Sequence, residues 1–479
     1  MANPLKQLAG ETAIYGFSSI LARVLNFLFV PIYTRMLNQE QYGVVTEFMA
    51  YIAILQVVLV LGLETGCFRF ANKEGEDPRK VYSGALLAVT GLNLGFLALM
   101  VAFSGSISAA LGYACWQRLI GYVAGILFCD SITAILFAKL RQEHKAVKFA
   151  IFKTIKILTE TGANLVLFFV WPARPDFTYP IFAILVSCVL CLLLFIPDMV
   201  RLKLVWDSRV VKRLLVYSLP LMIAALPGVA NDFLDRVLFR YFDTSSEAWR
   251  ATLGVYQAAV KLAVIMNLFI QMFRYAAEPF FFQRAKDKNS KELYAVVMEW
   301  FTAFCGLVLL GVVGYIDVIS LFLGRSFREG VDVVPLMLLS YMILGMLFNV
   351  SMWYKLSGKT NMAIWITLAG LLVTVVVNVV WMPVYSYWAS AFGHLASYLT
   401  MFILSAWLGS KYYPIPYKWK RIGALFLLMG IIYVGVAFSL KRIDALWLRL
   451  SLNTVLIGLY AVAAWWLLRS NRKQTIQTI

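Results

Sequence analysis

Ile181-Phe-Ala-Ile-Leu-Val-Ser-Cys-Val-Leu-Cys-Leu-Leu-Leu-Phe-Ile196 runs without a charge, and the stretch that follows holds Arg201, Lys203, Arg209, Lys212 and Arg213. A bilayer's hydrocarbon core takes roughly 20 apolar residues of helix, and with its flanks this run reaches that length. The same alternation extends through the whole chain. Apolar stretches lie at 12–35, 42–65, 81–103, 115–138, 147–170, 177–197, 214–241, 252–277, 293–315, 331–354, 361–383, 388–408, 422–440 and 445–468. Lys and Arg collect in every second gap between them. With the N-terminus placed in the cytoplasm, the inner segments hold 27 of the 43 basic residues and the outer loops hold six. That asymmetry is the positive-inside rule, counted over loops short enough for it to apply. The pattern predicts an all-α, multi-pass integral membrane protein of 14 transmembrane helices, both termini cytoplasmic.

Composition agrees, with 61% hydrophobic and 14% charged residues in 479, and no polar stretch is long enough to fold by itself. The net charge of +18 sits in short juxtamembrane loops. There it sets topology and meets anionic headgroups of membrane lipids rather than nucleic acid. The first apolar segment is too long for a cleavable signal and lacks a small-residue cleavage site. The six cysteines lie in or beside apolar spans and read as small buried hydrophobes, Cys188 and Cys191 included. His144 and His394 are far apart, so no metal site is expected.

The chain repeats itself at a spacing of about 212 residues. Lys148-Phe-Ala-Ile-Phe leads to Asn164 and Pro172, and Asn361-Met-Ala-Ile-Trp leads to Asn378 and Pro383. In the same register Arg23-Val-Leu parallels Arg236-Val-Leu, and Gly43-Val-Val parallels Gly254-Val-Tyr. Apolar matches come cheaply in apolar sequence, so the weight rests on Arg, Asn, Gly and Pro. Each copy holds six spans, an even number, so the copies enter the membrane in the same orientation, the parallel class of transporter repeat. The expected organisation is two parallel six-helix lobes, 1–210 and 211–410, around a central cleft, with two additional transmembrane helices in 411–479.

An ionisable group at mid-bilayer costs roughly 2.5–3.5 kcal/mol on insertion scales, and it persists where it faces protein, water or a partner. This chain carries many. Arg23 lies in span 1; Lys153, Lys156 and Glu160 share one face of span 5; Asp232, Asp235, Arg236 and Arg240 lie in span 7; Lys261 and Arg274 lie in span 8, with Glu278 at its end. Glu47, Glu64, Asp130 and Glu299 look isolated. Lys156 with Glu160 and Asp232 with Arg236 have the spacing of helix-surface pairs. Arg23, Lys153, Lys261 and Arg274 have no such acid inside their spans, so a basic excess remains. A cleft lined by that excess selects anions, and arginine's planar fork suits phosphate; a basic, water-filled vestibule without a specific ligand is the other reading. Pro31, Pro227 and the adjoining Gly228 are candidate bending points, against the plainer reading of fixed kinks.

These residues carry a resemblance. Arg23 with Phe29-Val-Pro31 and Tyr42-Gly43, Ser218-Leu-Pro220 with Asp235-Arg236, Gly254-Val-Tyr256 through Lys261-Leu-Ala263 to Pro279, and Asn378 with Pro383 are similar to the Wzx-like polysaccharide flippases. Those belong to the multidrug/oligosaccharidyl-lipid/polysaccharide exporter superfamily, with a MATE/MurJ-like fold. The match departs at Tyr385-Ser-Tyr-Trp-Ala-Ser-Ala391, where family members often carry a Gly-rich turn. The resemblance implies a non-enzymatic flippase of the bacterial inner membrane. Its substrate would be an undecaprenyl-pyrophosphate-linked oligosaccharide repeat unit for O-antigen, capsule or exopolysaccharide, moved to the periplasmic leaflet by alternating access. Mapped onto this chain, Arg23, Arg236, Lys261 and Arg274 become pyrophosphate-binding residues, with Lys153 and Lys156 beside them. The extra helix pair would resemble the lipid-tail groove of lipid II flippases.

No nucleotide-binding motif occurs and no cofactor is expected, so the drive is the membrane potential or an H⁺ or Na⁺ gradient. Glu64, Asp130, Glu160 and Asp232 are the candidate ion-coupling acids. A monomer is expected, with other polysaccharide-assembly membrane proteins as partners and no nucleic acid. The alternatives are a lipid II flippase, a MATE-like antiporter of small molecules, and a membrane glycosyltransferase or polymerase.

Overall fold

The computed structural model describes residues 16, 20–21, 23–73, 75–170, 176–202, 204–244, 248–285, 287 and 289–469. Among them the chain is helical with no strand. Fifteen helices matter here: α1 Val30–Met36, α2 Gln39–Val60, α3 Leu63–Ala71, α4 Pro78–Ala102, α5 Gln117–Gln142, α6 Ala146–Leu165, α7 Thr178–Leu202, α8 Ser208–Phe242, α9 Trp249–Arg284, α10 Ser290–Gly314, α11 Val334–Val350, α12 Met362–Tyr385, α13 Tyr387–Tyr412, α14 Trp419–Arg442 and α15 Leu446–Arg469.

Twelve helical stretches among the described residues are long and apolar enough to cross a membrane. The two others expected are accounted for physically. α6 carries Lys148, Lys153, Lys156 and Glu160, too many charges for an apolar window, and the first span (12–35) lies partly outside the described residues. The protein is an all-α, multi-pass membrane protein.

Local chemistry sets the ends. Asn38 caps α2 in a reciprocal box: its side chain accepts from the Gln41 amide at 2.8 Å while Gln41 Oε1 accepts from the Asn38 amide at 3.1 Å. Asp77 caps α4 and Pro78 opens it, where a missing N–H costs nothing. Pro31 sits in the first turn of α1 in the same way, and Pro335 does so in α11. Span 2 is broken between α2 and α3, where Leu61 and Gly62 both take positive φ, 57° and 65°. A Cβ on Gly62 would fall 2.6 Å from the Ser218 carbonyl oxygen, so α8 approaches at backbone distance and only glycine fits.

Contacts divide the chain into two compact units. The first holds 1–241 and 247–254, and the second holds 242–246 and 255–479. α8 and the first turn of α9 therefore fold with the first unit, while the duplication runs in a register of its own. In the first unit α5 packs on α2, α4 and α7, around a core that includes Val81, Tyr82, Ile132, Phe137 and Phe195. In the second, α13 packs on α11 and α12, and α14 and α15 both pack on α10. The duplicated asparagines share one role. Asn164 and Asn378 are both buried, and each donates to the carbonyl four residues earlier, at 2.9 and 2.7 Å.

Candidate functional site

α6 presents Lys153, Lys156 and Glu160 along one face because residues three and four apart stack on a helix. In the first unit Lys156 has two acids within reach, Glu160 on its own helix and Asp130 on α5. It forms its ion pair with Asp130. Lys before Glu is the weaker order for an i, i+4 pair, and the interhelical contact is a charge-assisted hydrogen bond among buried neighbours. Cys188 of α7 is buried and lies within electrostatic reach of Asp130. Lys153 takes a different neighbour, with its ammonium 4.3 Å from the Phe137 ring centroid, a cation–π contact that leaves its charge unneutralised. No described residue hydrogen-bonds the Glu160 carboxylate, which lies within electrostatic reach of Tyr33 and Lys156.

Arg236 on α8 stacks its guanidinium 4.6 Å from the Phe233 ring, and its Nε is buried without a hydrogen-bond partner among the described residues. Tyr42 is within its electrostatic reach. Arg23 is exposed and makes no ion pair with a described residue. Asp232 is exposed, whereas Asp235 is fully buried. Glu64 pairs with Arg141 at 3.0 Å in a half-exposed position on α3. Pro227 and Gly228 lie inside the uninterrupted α8, and a Cβ on Gly228 would meet open space. The backbone break in this unit falls at Leu61–Gly62.

The second unit holds Lys261 and Arg274, both half-buried on α9. Arg274 lies 3.8 Å over the Phe348 ring and lines an open cavity of about 150 Å³ with Glu278, Tyr354 and Lys355. Lys355 pairs with Glu278. In sequence Lys355 reads only as a topology-setting loop cation. Its position next to Arg274 depends on a contact 77 residues away along the chain.

Glu47 has the densest surroundings. It is wholly buried and accepts from Tyr51 Oη at 2.7 Å, Tyr113 Oη at 2.5 Å and Arg240 Nη1 at 2.8 Å. Arg240 also donates to the Leu111 carbonyl, and Arg250 donates through Nε to Tyr113 Oη at 3.1 Å. A carboxylate with three donors is satisfied despite its burial, so this acid holds structure together. Outside the membrane spans, burial pushes Glu143 up, but hydrogen bonds from Lys139 and Lys145, at 2.8 and 2.7 Å, outweigh it and hold its carboxyl below the usual range. All six cysteines are free, and no described group of His, Cys, Asp and Glu could hold a metal ion.

The arrangement supplies unneutralised cations at Lys153 and Arg236, a neutralised one at Lys156, and a mixed-charge pocket around Arg274. Comparison with known proteins places the chain in a family. No curated protein sequence is significantly similar to the chain. A solved structure titled "Lipid II flippase MurJ, inward closed conformation" superposes with a TM-score of 0.76 at 13% identity, covering 98% of this chain and 100% of that one. That coverage takes in the C-terminal helices. An inward-facing multidrug resistance MATE family transporter of the MOP superfamily superposes at 0.61 with 14% identity, covering 84% of this chain and 95% of the other. A MATE in complex with MaD3S gives 0.57 at 14% identity, over 87% and 95%. These likenesses establish the fold. The family model described as "Polysaccharide biosynthesis protein" matches residues 8–285, more than half of the chain, so the chain belongs to the polysaccharide biosynthesis protein family and carries the MurJ/MATE-like membrane fold.

Proposed function

We propose that the protein is a flippase for undecaprenyl-pyrophosphate-linked oligosaccharide repeat units. It carries them from the cytoplasmic to the periplasmic leaflet of the bacterial inner membrane by alternating access, for O-antigen, capsule or exopolysaccharide synthesis, with both termini cytoplasmic. The observation that carries this reading is the pair of cations Lys153 and Arg236. Arg236 lies on a helix long and apolar enough to cross a membrane and Lys153 on the charged helix α6; both rest against aromatic rings and form no ion pair with a described acid. Such charges are retained at a cost, and a pyrophosphate returns it. Arg23, Lys261 and Arg274 extend the same head-group role. Lys156 is already neutralised by Asp130 and serves to position α5 against α6.

No cofactor is involved in this proposal. The membrane potential, or exchange of H⁺ or Na⁺ at Asp130, Glu160, Glu64 or Asp232, supplies the drive. The protein works as a monomer alongside other polysaccharide-assembly membrane proteins. Deleting the gene and identifying by mass spectrometry the lipid-linked glycan that accumulates on the inner leaflet tests the reading. Accumulation of the repeat-unit lipid supports it, and unchanged pools with normal surface polysaccharide overturn it. Lipid II is the second reading, favoured by the fit to a lipid II flippase over almost the whole chain; accumulation of lipid II in the same experiment would decide for it.

A further inference from the structure

In the second unit, the end of α10, the short helix Ile316–Ile319, the 3₁₀ segment Arg325–Val333 and α14 line a second open cavity, about 430 Å³ in volume. Its polar lining is Asp317, Ser320, Arg328, Asp332, Tyr433 and Lys441. Several of these groups are fixed from behind. Arg449 Nη2 lies 2.9 Å from Asp317 Oδ2, Ser320 Oγ donates to the Asp317 carbonyl at 3.0 Å, and Arg328 donates through Nε and Nη2 to the Leu323 carbonyl at 3.3 and 3.2 Å. The floor is rigid too. Phe327 and Val333 are wholly buried, and a Cβ on Gly330 would fall 2.7 Å from the Val255 side chain and 3.1 Å from its carbonyl oxygen. Asp332 and Lys441 stand exposed, and neither forms a hydrogen bond or ion pair with a described residue.

The lining selects its ligand by exclusion. A lipid tail would leave these charges in hydrocarbon, at a cost that membrane proteins avoid. A bare phosphate would face two carboxylates, and a bare cation would face Arg328 and Lys441. A polyhydroxylated, uncharged molecule suits both signs at once, because each hydroxyl donates and accepts. Carboxylates only accept, ammonium and guanidinium only donate, and the phenol and serine hydroxyl do either. The volume admits a sugar ring, and Tyr433 offers a face for it.

We propose that this cavity is a glycan-binding site at the outward end of the second unit, separate from the cations at membrane depth. It takes the oligosaccharide portion of the cargo once that portion has reached the outer side. The outward placement and the cargo rest on the flippase reading; the ligand class rests on the lining itself.

The full chain in nanodiscs, titrated with lipid-free oligosaccharides prepared by partial acid hydrolysis of the producing cell's surface polysaccharide, tests it by saturation-transfer NMR and calorimetry. Asp332→Asn and Lys441→Gln each remove one exposed charge, and Tyr433→Phe removes one hydroxyl. Each charge variant should weaken binding about tenfold or more, the loss of one charge-assisted hydrogen bond, while Arg236→Ala binds as the wild type does. An excess of inorganic pyrophosphate should leave binding unchanged. Absent binding by the wild type, equal binding by all three variants, or displacement by pyrophosphate would each overturn the proposal. The flippase reading is judged separately: glycan binding by the wild type, together with normal surface polysaccharide in cells lacking the gene, sinks that reading and leaves this site standing.

Discussion

Gly43 and Gly254, counterparts in the internal duplication, meet backbone to backbone in the first unit. A Cβ on Gly43 would fall 1.8 Å from the Arg250 carbonyl oxygen, and one on Gly254 would fall 2.0 Å from that of Gln39. Backbone atoms cannot step aside for a methyl group, so α2 and the first turn of α9 approach only because both positions lack a side chain. Small residues serve this purpose between membrane helices generally. Gly43→Ala and Gly254→Ala should each destabilise the protein by about 1–3 kcal/mol or more through overpacking. Thermal unfolding in detergent should show this as a lowered melting temperature and reduced monodisperse yield. Gly228→Ala, with open space at its Cβ, should fold at least as well as the wild type. If α8 bends there during transport, that variant should slow transport without losing stability.

Glu47→Ala should be among the most damaging single substitutions. It strands Arg240, whose side chain is 11% exposed, and leaves Tyr51 and Tyr113 without their acceptor. Removing one partner of a buried pair costs roughly 3–5 kcal/mol. Thermal stability is the readout, and replacing both members, Glu47→Leu with Arg240→Met, should recover much of the loss. A single variant as stable as the wild type would show that the cluster holds nothing.

What could be read from sequence divides along a physical line. Glycine, asparagine and proline stand out against an apolar background and suggest the repeat, and Gly43, Gly254, Asn164 and Asn378 carry packing. The all-α, multi-pass class follows from hydropathy alone. Partnerships between helices leave no such trace. Glu47 looked isolated because Arg240 lies 193 residues away, and Asp130 looked free because Lys156 has a nearer acid in its own helix. The break in span 2 falls on Leu61 and Gly62, where no proline marks it.

The ion pairs separate two kinds of lysine. Lys156→Ala leaves Asp130 without its partner, so it should lower stability, and Asp130→Asn in the same chain should restore much of it. Lys153→Ala and Arg236→Ala remove cations that neutralise no described acid, so the protein should remain inserted and abundant. In vesicles their transport should fall by about tenfold or more, the scale of one charge-assisted contact. Arg236→Lys should recover part of it, since the charge returns without the bidentate fork. Full transport by both alanine variants removes these residues from the head-group site.

Ser386 joins α12 to α13 with φ 48° and ψ −130°, a conformation that a side chain resists and glycine adopts freely. Ser386→Gly should therefore stabilise the protein, by about 1 kcal/mol, seen as a higher melting temperature. A lower one would mean that the buried hydroxyl, which has no partner among the described residues, finds one in the bilayer.

The C-terminal pair α14–α15 reads in sequence as an addition to a duplicated core, yet its attachment to α10 is polar and buried. Asn453 donates to the Gly314 carbonyl at 2.8 Å, and its side-chain oxygen accepts from Ser439. Tyr460 donates to the Ala303 carbonyl at 3.1 Å, passing so close to Gly306 that a Cβ there would fall 2.1 Å from its hydroxyl. Arg421 lies 3.7 Å from Glu299, whose side chain is almost fully enclosed. Removing 422–479 exposes these groups to lipid, where an unsatisfied polar atom is costly. The truncated chain should lose folded yield as well as transport. Asn453→Ala is the milder probe: it removes two buried hydrogen bonds and should cost about 1–3 kcal/mol while keeping both helices. If transport falls in proportion to stability across Asn453→Ala, Tyr460→Phe and the truncation, the pair is a brace for α10. If transport falls while stability holds, α14 and α15 handle cargo directly.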